Sequence, residues 1–234
     1  MGYNQRQNNR GFEDFRPIEA KVGIIERADG SAMFRIGGTI AYAAVYGPRE
    51  LFPRFLQNPE GGILRCHYNM LPFSGTDRVR PGGNRRSKEI SIVTKSALAP
   101  VIDLSYYPNA VVDVFIDFPQ TNAGSRCAGI CAASMALADA GIPMKDLIAA
   151  VAVGKVDDKI VVDLDYSEEA YEEHSGKVAD MPMAMLARSK QISLLQMDGN
   201  ISKQQVNAAL AMGQKQLMQI IEVQKAALRE KFNQ

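Results

Sequence analysis

The sequence predicts an α+β fold in which helices follow groups of strands, in place of strict alternation. Three observations lead there. Strand-like runs outnumber helical ones, the helices come after clusters of such runs, and 46% apolar residues over 234 positions are ample for a core. Two βαβ-like halves can be traced, and no Gly/Ser-rich linker separates them. A single domain over residues 15–234 is therefore expected, preceded by a flexible basic arm over residues 1–14.

In chain order, residues 18–26 read as a strand. Ala28-Asp29-Gly30-Ser31 turns into a second strand over 32–36, and Gly37-Gly38 turns into a third over 39–46, which together suggest an antiparallel meander. Gly47-Pro48-Arg49-Glu50 breaks the run, and the Pro- and Gly-containing segment up to Gly62 reads as an exposed loop. Residues 63–71 return as a strand with Leu64, Cys66, Tyr68 and Met70 on one face and Arg65, His67 and Asn69 on the other. Ser87 is a candidate N-cap for a helix whose period is marked by Ile90, Val93, Ala97, Leu98 and Val101.

Residues 111–118 are β-branched or aromatic except for Asp113 and Asp117, which indicates a largely buried strand ended by Pro119. The turn QTNAGSR follows, and then the Ala-rich run CAGICAASMALADAGIP, a helix stopped by Gly141 and Pro143. Residues 147–156 and 159–164 form a hairpin around Asp157-Asp158. Residues 181–187 and 191–196 form a further strand pair, with Asp198-Gly199 as a turn. The last helix opens on a capping box of Ser202 and Gln205 and carries an apolar stripe of Val206, Leu210, Leu217, Ile220, Ile221 and Leu228.

Composition narrows the setting. The formal net charge is +1, so bulk charge announces no nucleic-acid partner. Locally, RVRPGGNRRSK carries five cations and no acid, and Glu168, Glu169, Glu172 and Glu173 make a compensating acidic stretch. Three cysteines argue against a disulfide framework and fit a reducing compartment. Cys127 and Cys131 share a helical face, and packing is the expected role for both. No apolar run reaches the length of a membrane span, and the polar start lacks a signal-peptide core, so a cytoplasmic protein without membrane contact is expected.

Gly124 and Ser125 fall at a helix start, where unpaired N–H groups and the positive end of the helix dipole stand beside the Arg126 guanidinium. That set suits a phosphate or sulfate. The plainer reading is that Ser125 caps the helix and Arg126 is a solvated charge.

Several stretches together resemble the RNase PH family, and within it the catalytic subunits of archaeal exosomes. They are FRPIEAKVGIIERADGSAMFRIG, AAVYGPRE, RCHYNMLPFSG, RPGGNRRSKEIS, NAGSRCAGICAASMALADAGIPM, VADMPMA and SLLQMDGNIS, in the family's order from about residue 15 to 202. The resemblance implies an RNase PH-like fold, of the ribosomal protein S5 domain 2-like type, with mixed sheets packed against helices. It implies phosphorolytic 3′-to-5′ degradation of RNA, with inorganic phosphate as co-substrate, release of nucleoside diphosphates, and RNA tailing as the reverse reaction. By the same resemblance Gly124, Ser125 and Arg126 bind the attacking phosphate. Arg85 and Arg86, set just before a helix, hold RNA phosphates and the phosphate ion. Arg65 matches a family arginine, and His67 stands where relatives often have a second.

Asp180 matches the catalytic aspartate, as general acid or as a ligand of a divalent cation, Mg²⁺ or Mn²⁺. Its usual acidic companion six residues earlier is His174 here. Treating EEHSGK as an insertion places Glu169 in that role; Glu172 and Glu173 are further alternatives. Asn122 stands where many members have Asp. The implied partners are single-stranded RNA, a second RNase PH-type subunit alternating in a hexameric ring as a trimer of heterodimers, and RNA-binding cap subunits. A noncatalytic ring subunit and a homohexameric transfer-RNA-processing RNase PH stay open as alternatives.

Overall fold

The computed structural model describes residues 3, 5–6, 9–171 and 178–233. In chain order the elements are β1 (Ile18–Val22), β2 (Gly30–Ile36), β3 (Thr39–Glu50), β4 (Ile63–Met70), α1 (Arg85–Leu98), β5 (Ala110–Gln120), α2 (Ser125–Asp139), β6 (Ile148–Val156), β7 (Lys159–Val162), α3 (Tyr166–Glu169), β8 (Val178–Leu186), β9 (Ile192–Leu195), β10 (Asp198–Gly199) and α4 (Lys203–Phe232). The first sheet has the order β1-β2-β3-β5-β4, antiparallel except where β4 runs parallel to β5. The second has the order β10-β8-β6-β7, with β9 also pairing β8. The mixed α+β prediction holds.

The element that positions the site is α2, which packs against β2 and β3 of one sheet and β6 of the other. Twelve of its residues are buried, from Ser125 to Leu137, and most are Ala, Gly, Ser or Cys. Small side chains are what allow a helix to be buried on every side, because its axis must approach both sheets closely. Gly30 shows how close: a Cβ there would lie 2.2 Å from the Ala140 nitrogen and 2.5 Å from the Ala136 oxygen. Cys131 fits the same demand, its Sγ donating to the Ala150 carbonyl at 3.4 Å and accepting from the Ala150 amide at 3.2 Å. All three cysteines are free and buried. One apolar cluster runs from the first sheet through α2 into the second sheet and α4. No helix among the described residues is long and apolar enough to cross a membrane.

Five local expectations change. The predicted break at Gly47-Pro48 does not occur: β3 continues to Glu50 with a register shift against β5 between Tyr46 and Arg49, which absorbs the missing proline N–H. Likewise β5 runs through Pro119 to Gln120. Asn84, not Ser87, caps α1, its Oδ1 accepting from the Ser87 amide at 2.7 Å. Arg85 and Arg86 are therefore the first residues of that helix and not a prelude to it. The acidic stretch contains the short helix α3, with a capping box of Asp165 and Glu168. Asp198-Gly199 is a two-residue strand, with Asp198 paired opposite Asp180.

The segment expected to be a flexible arm is tied down where it is described. Tyr3 joins a second apolar cluster with Val156, Val161, Leu164 and Val178, and Arg6 is 1% exposed.

Candidate active site

The turn between β5 and α2 is built by backbone conformation. Ala123 and Gly124 both adopt left-handed φ, 59° and 67°. Two such residues in succession turn their amides to one side, a concavity suited to an anion. Gly124 is the N-cap of α2 and supplies no side-chain cap. The plain capping reading of Ser125 is thus corrected: it is the first helical residue, 7% exposed, and its Oγ accepts a 2.8 Å hydrogen bond from the Tyr68 hydroxyl.

Bracing surrounds this turn. The Thr39 hydroxyl donates to the Ala123 carbonyl at 2.6 Å and accepts from the Asn122 amide at 2.8 Å. Arg16 donates through Nη1 to the Asn122 carbonyl, and its Nε and Nη2 bond Asp163 at 2.8 and 2.6 Å. Asn122, where Asp was the family expectation, accepts from the Tyr166 amide at 3.0 Å. An amide oxygen serves this contact without adding a negative charge beside the anion turn.

A groove opens from the turn. One lobe, of about 1020 Å³, is lined by Ser74, Gly124, Ser125, Arg126, Glu169 and Asp180 among others; a second, of about 770 Å³, adds Arg85, Glu89 and Asp198. Arg86, Arg126, Glu169 and Asp180 line both, so the lobes form one continuous site. It holds cations from α1 and α2 and carboxylates from α3, β8 and β10. Phe73, 72% exposed, stands at the rim of the first lobe.

The electrostatics mark two carboxyls as unusual. Burial pushes the Asp180 carboxyl up to about 6, with Asp198 adding to the rise and Arg126 opposing it. Burial and then the Asp180 charge push Glu169 up to about 7, against Arg86 and Arg16. Asp180 Oδ1 and Arg126 Nε are both buried without a hydrogen-bond partner. Orphaned polar atoms in a cleft mark a place for a ligand. Among the described residues no group of three or more His, Cys, Asp or Glu is arranged to hold a metal ion. Two carboxylates beside an anion turn still fit a Mg²⁺-like cation, which takes one or two protein carboxylates and completes its shell with phosphate oxygens and water.

The structure brings together Gly124, Ser125, Arg126, Arg85, Arg86, Glu169 and Asp180, and leaves Arg65 and His67 outside the groove. Those two project from the opposite face of β4, as the alternation of the strand requires. Arg65 makes a bidentate pair with Asp113 at 2.7 and 2.8 Å, and His67 stacks on Phe115 with ring centroids 4.7 Å apart. Glu172, Glu173 and His174 lie outside the described residues. Sequence reasoning missed Asp198, read as a turn residue, and the Tyr68, Asn122 and Arg16 supports. For Asp198 the only signal was its place in SLLQMDGNIS.

Known proteins share this architecture. RNase PH, 3′ exoribonuclease family, domain 1, matches residues 14–143, and domain 2 of the same family matches residues 146–216. The chain is 46% identical over 227 residues to the exosome complex component Rrp41 of Methanopyrus kandleri, covering 97% of this chain and 93% of that protein. It is 47% identical over 228 residues to Rrp41 of Thermococcus kodakarensis, covering 97% and 90%. The crystal structure of rice Rrp46 superposes with a TM-score of 0.84 at 22% identity, over 96% of this chain and all of that one.

Proposed function

Because the chain belongs to the RNase PH family of 3′ exoribonucleases, we propose that it is the catalytic subunit of an exosome ring, degrading RNA from its 3′ end by phosphorolysis. The observation that carries this reading is one groove holding an anion turn, Arg86 and Arg126, and two carboxyls that burial keeps near neutrality.

Phosphorolysis must bring two anions together, the phosphate ion and the terminal phosphodiester. Repulsion between them is the first barrier, and preorganised cations and N–H donors lower it. The amides at Gly124 and Ser125, the Ser125 hydroxyl and the Arg126 guanidinium hold the phosphate. Arg85 and Arg86, at the start of α1, hold the RNA phosphates, and arginine allows bidentate contact. A phosphate oxygen then attacks the terminal phosphorus. The bond to the 3′ oxygen of the penultimate nucleotide breaks, that oxygen takes a proton, and a nucleoside diphosphate leaves. The reverse sequence adds a nucleotide from a diphosphate.

Asp180, raised to about 6, carries a proton for part of the time near neutrality and suits donation to the leaving oxygen. Glu169 is its companion carboxylate. With a divalent cation bound, Asp180 and Glu169 would hold it, and it would supply charge neutralisation to the phosphoryl group. Arg65 and His67, outside the groove, contact RNA backbone further along the strand without reading sequence. The partners are a second RNase PH-type subunit completing a hexameric ring, and cap subunits that bind RNA. The site of action is the cytoplasm. We read residues 15–234 as one domain, supported by the apolar cluster shared between the sheets.

The test mixes the chain and its ring partner with poly(A) and phosphate. ADP should form only with phosphate, and Asp180→Asn should lower the rate by about a hundredfold or more. AMP formed at the same rate without phosphate would replace phosphorolysis by hydrolysis.

A further inference from the structure

A buried polar cluster ties Tyr3 and Arg6 to α3 across more than 160 residues. Arg6, 1% exposed, meets the Glu168 carboxylate with both prongs, Nε to Oε1 and Nη2 to Oε2, each at 2.7 Å. Its remaining N–H groups donate to the carbonyls of Val162 and Asp163 at 2.9 Å, with weaker contacts to Gly11 and Asp14. The Tyr3 hydroxyl adds a 2.6 Å hydrogen bond to Glu168 Oε1. Burial acts to raise the Glu168 carboxyl, and the bonds from Arg6 and Tyr3 overcome it, leaving the group below its ordinary value.

Glu168 is also the residue that closes the capping box of α3, its Oε2 accepting from the Asp165 amide at 3.0 Å. The next residue is Glu169. Adjacent helical side chains point about 100° apart, so a helix gripped through Glu168 has its Glu169 direction fixed. A helix of four residues has no stability of its own and takes its orientation from tertiary contacts.

We infer that Arg6 is a positioning residue for the groove: by clamping Glu168 it fixes α3 and holds the Glu169 carboxylate beside Asp180. This rests on the phosphorolytic reading only for its effect on rate. The clamp itself is a statement about α3.

The test compares the full-length parent with Arg6→Lys, Arg6→Met and the double variant Arg6→Met with Glu168→Leu. The double variant replaces a buried ion pair by apolar groups and so avoids leaving a lone buried charge, which keeps a folded protein available. Backbone deuterium exchange at residues 165–171 should be at least about tenfold faster in Arg6→Met, which keeps Glu168 and its contact to the Asp165 amide, and in the double variant, with α2 unchanged. Turnover should fall by about tenfold to a hundredfold with a smaller rise in the KM for phosphate, because the anion turn keeps its Thr39 and Arg16 braces and loses at most the Tyr166–Asn122 contact, while the Glu169 carboxylate is displaced. Arg6→Lys should recover part of the rate. Adding Glu169→Gln to the double variant should cost little more, since Glu169 is already displaced. Unchanged exchange over 165–171, or full turnover in a folded double variant, overturns the positioning role. A parent that forms no ADP overturns phosphorolysis, and the exchange data then still decide the clamp.

Discussion

At the residue scale, Glu169 and Asp180 differ from ordinary surface carboxylates in the direction of their titration. The folded Glu169 carboxyl is raised from 4.5 to about 7, and the folded Asp180 carboxyl from 3.8 to about 6. Between each ordinary value and its raised one, the folded protein binds more protons than the unfolded chain, so stability falls as pH rises through that window. Glu169→Gln, neutral throughout, should therefore melt higher than the parent at pH 8 and no higher at pH 4. Magnesium should raise the parent's melting temperature at pH 8 and act much less on the variant, since a cation relieves the same repulsion. An equal gap between parent and variant at both pH values would show that Glu169 does not ionise against a buried neighbour. The phosphate role of Gly124, Ser125 and Arg126, over plain capping, was implied by the resemblance alone, but their turn was legible in the sequence as a helix start because a strand, a turn and a helix announce themselves locally. Glu168 was not. Its partner Arg6 lies 162 residues away, and no local pattern separates a buried clamp from a solvated acidic face.

At the element scale, α2 shows how little room the design leaves. Gly30→Ala puts a methyl group inside the last turn of α2, where backbone atoms cannot retreat as a side-chain tip would. The expected loss is about 1 to 3 kcal/mol of unfolding free energy, measured by denaturant titration. Because the same helix begins at the anion turn, phosphate binding should weaken as well. A variant with parental stability would mean that α2 has slack against β2. The Ala-rich composition made α2 readable as a helix, and its terminal Gly141, with φ of 70°, made its end readable too. The continuation of β3 past Gly47-Pro48 was not readable: the dipeptide is a local turn signal, and only the ladder to β5, distant in sequence, overrides it.

At the scale of the whole molecule, the groove is open on one side, and the outer face of the first sheet presents Arg65, His67, Phe115 and Tyr42 to solvent or to a neighbour. Activity should be low for the chain alone and rise on titration with its ring partner, levelling at one partner per chain; light scattering alongside should show a six-membered ring at the same ratio. Full activity from six copies of this chain alone would point to the homohexameric enzyme. The groove also has an order of manufacture. Arg85, Arg86 and Arg126 precede the two buried carboxyls, Glu169 and Asp180, in the chain, so the anion-attracting residues are synthesised first. Asp180 follows Arg126 by 54 residues, which is about 3 to 11 seconds of synthesis at ordinary rates. For that interval Arg85, Arg86 and Arg126 exist without the complete pair of Glu169 and Asp180, so the cations that attract RNA are made before the carboxyls that the proposed reaction needs.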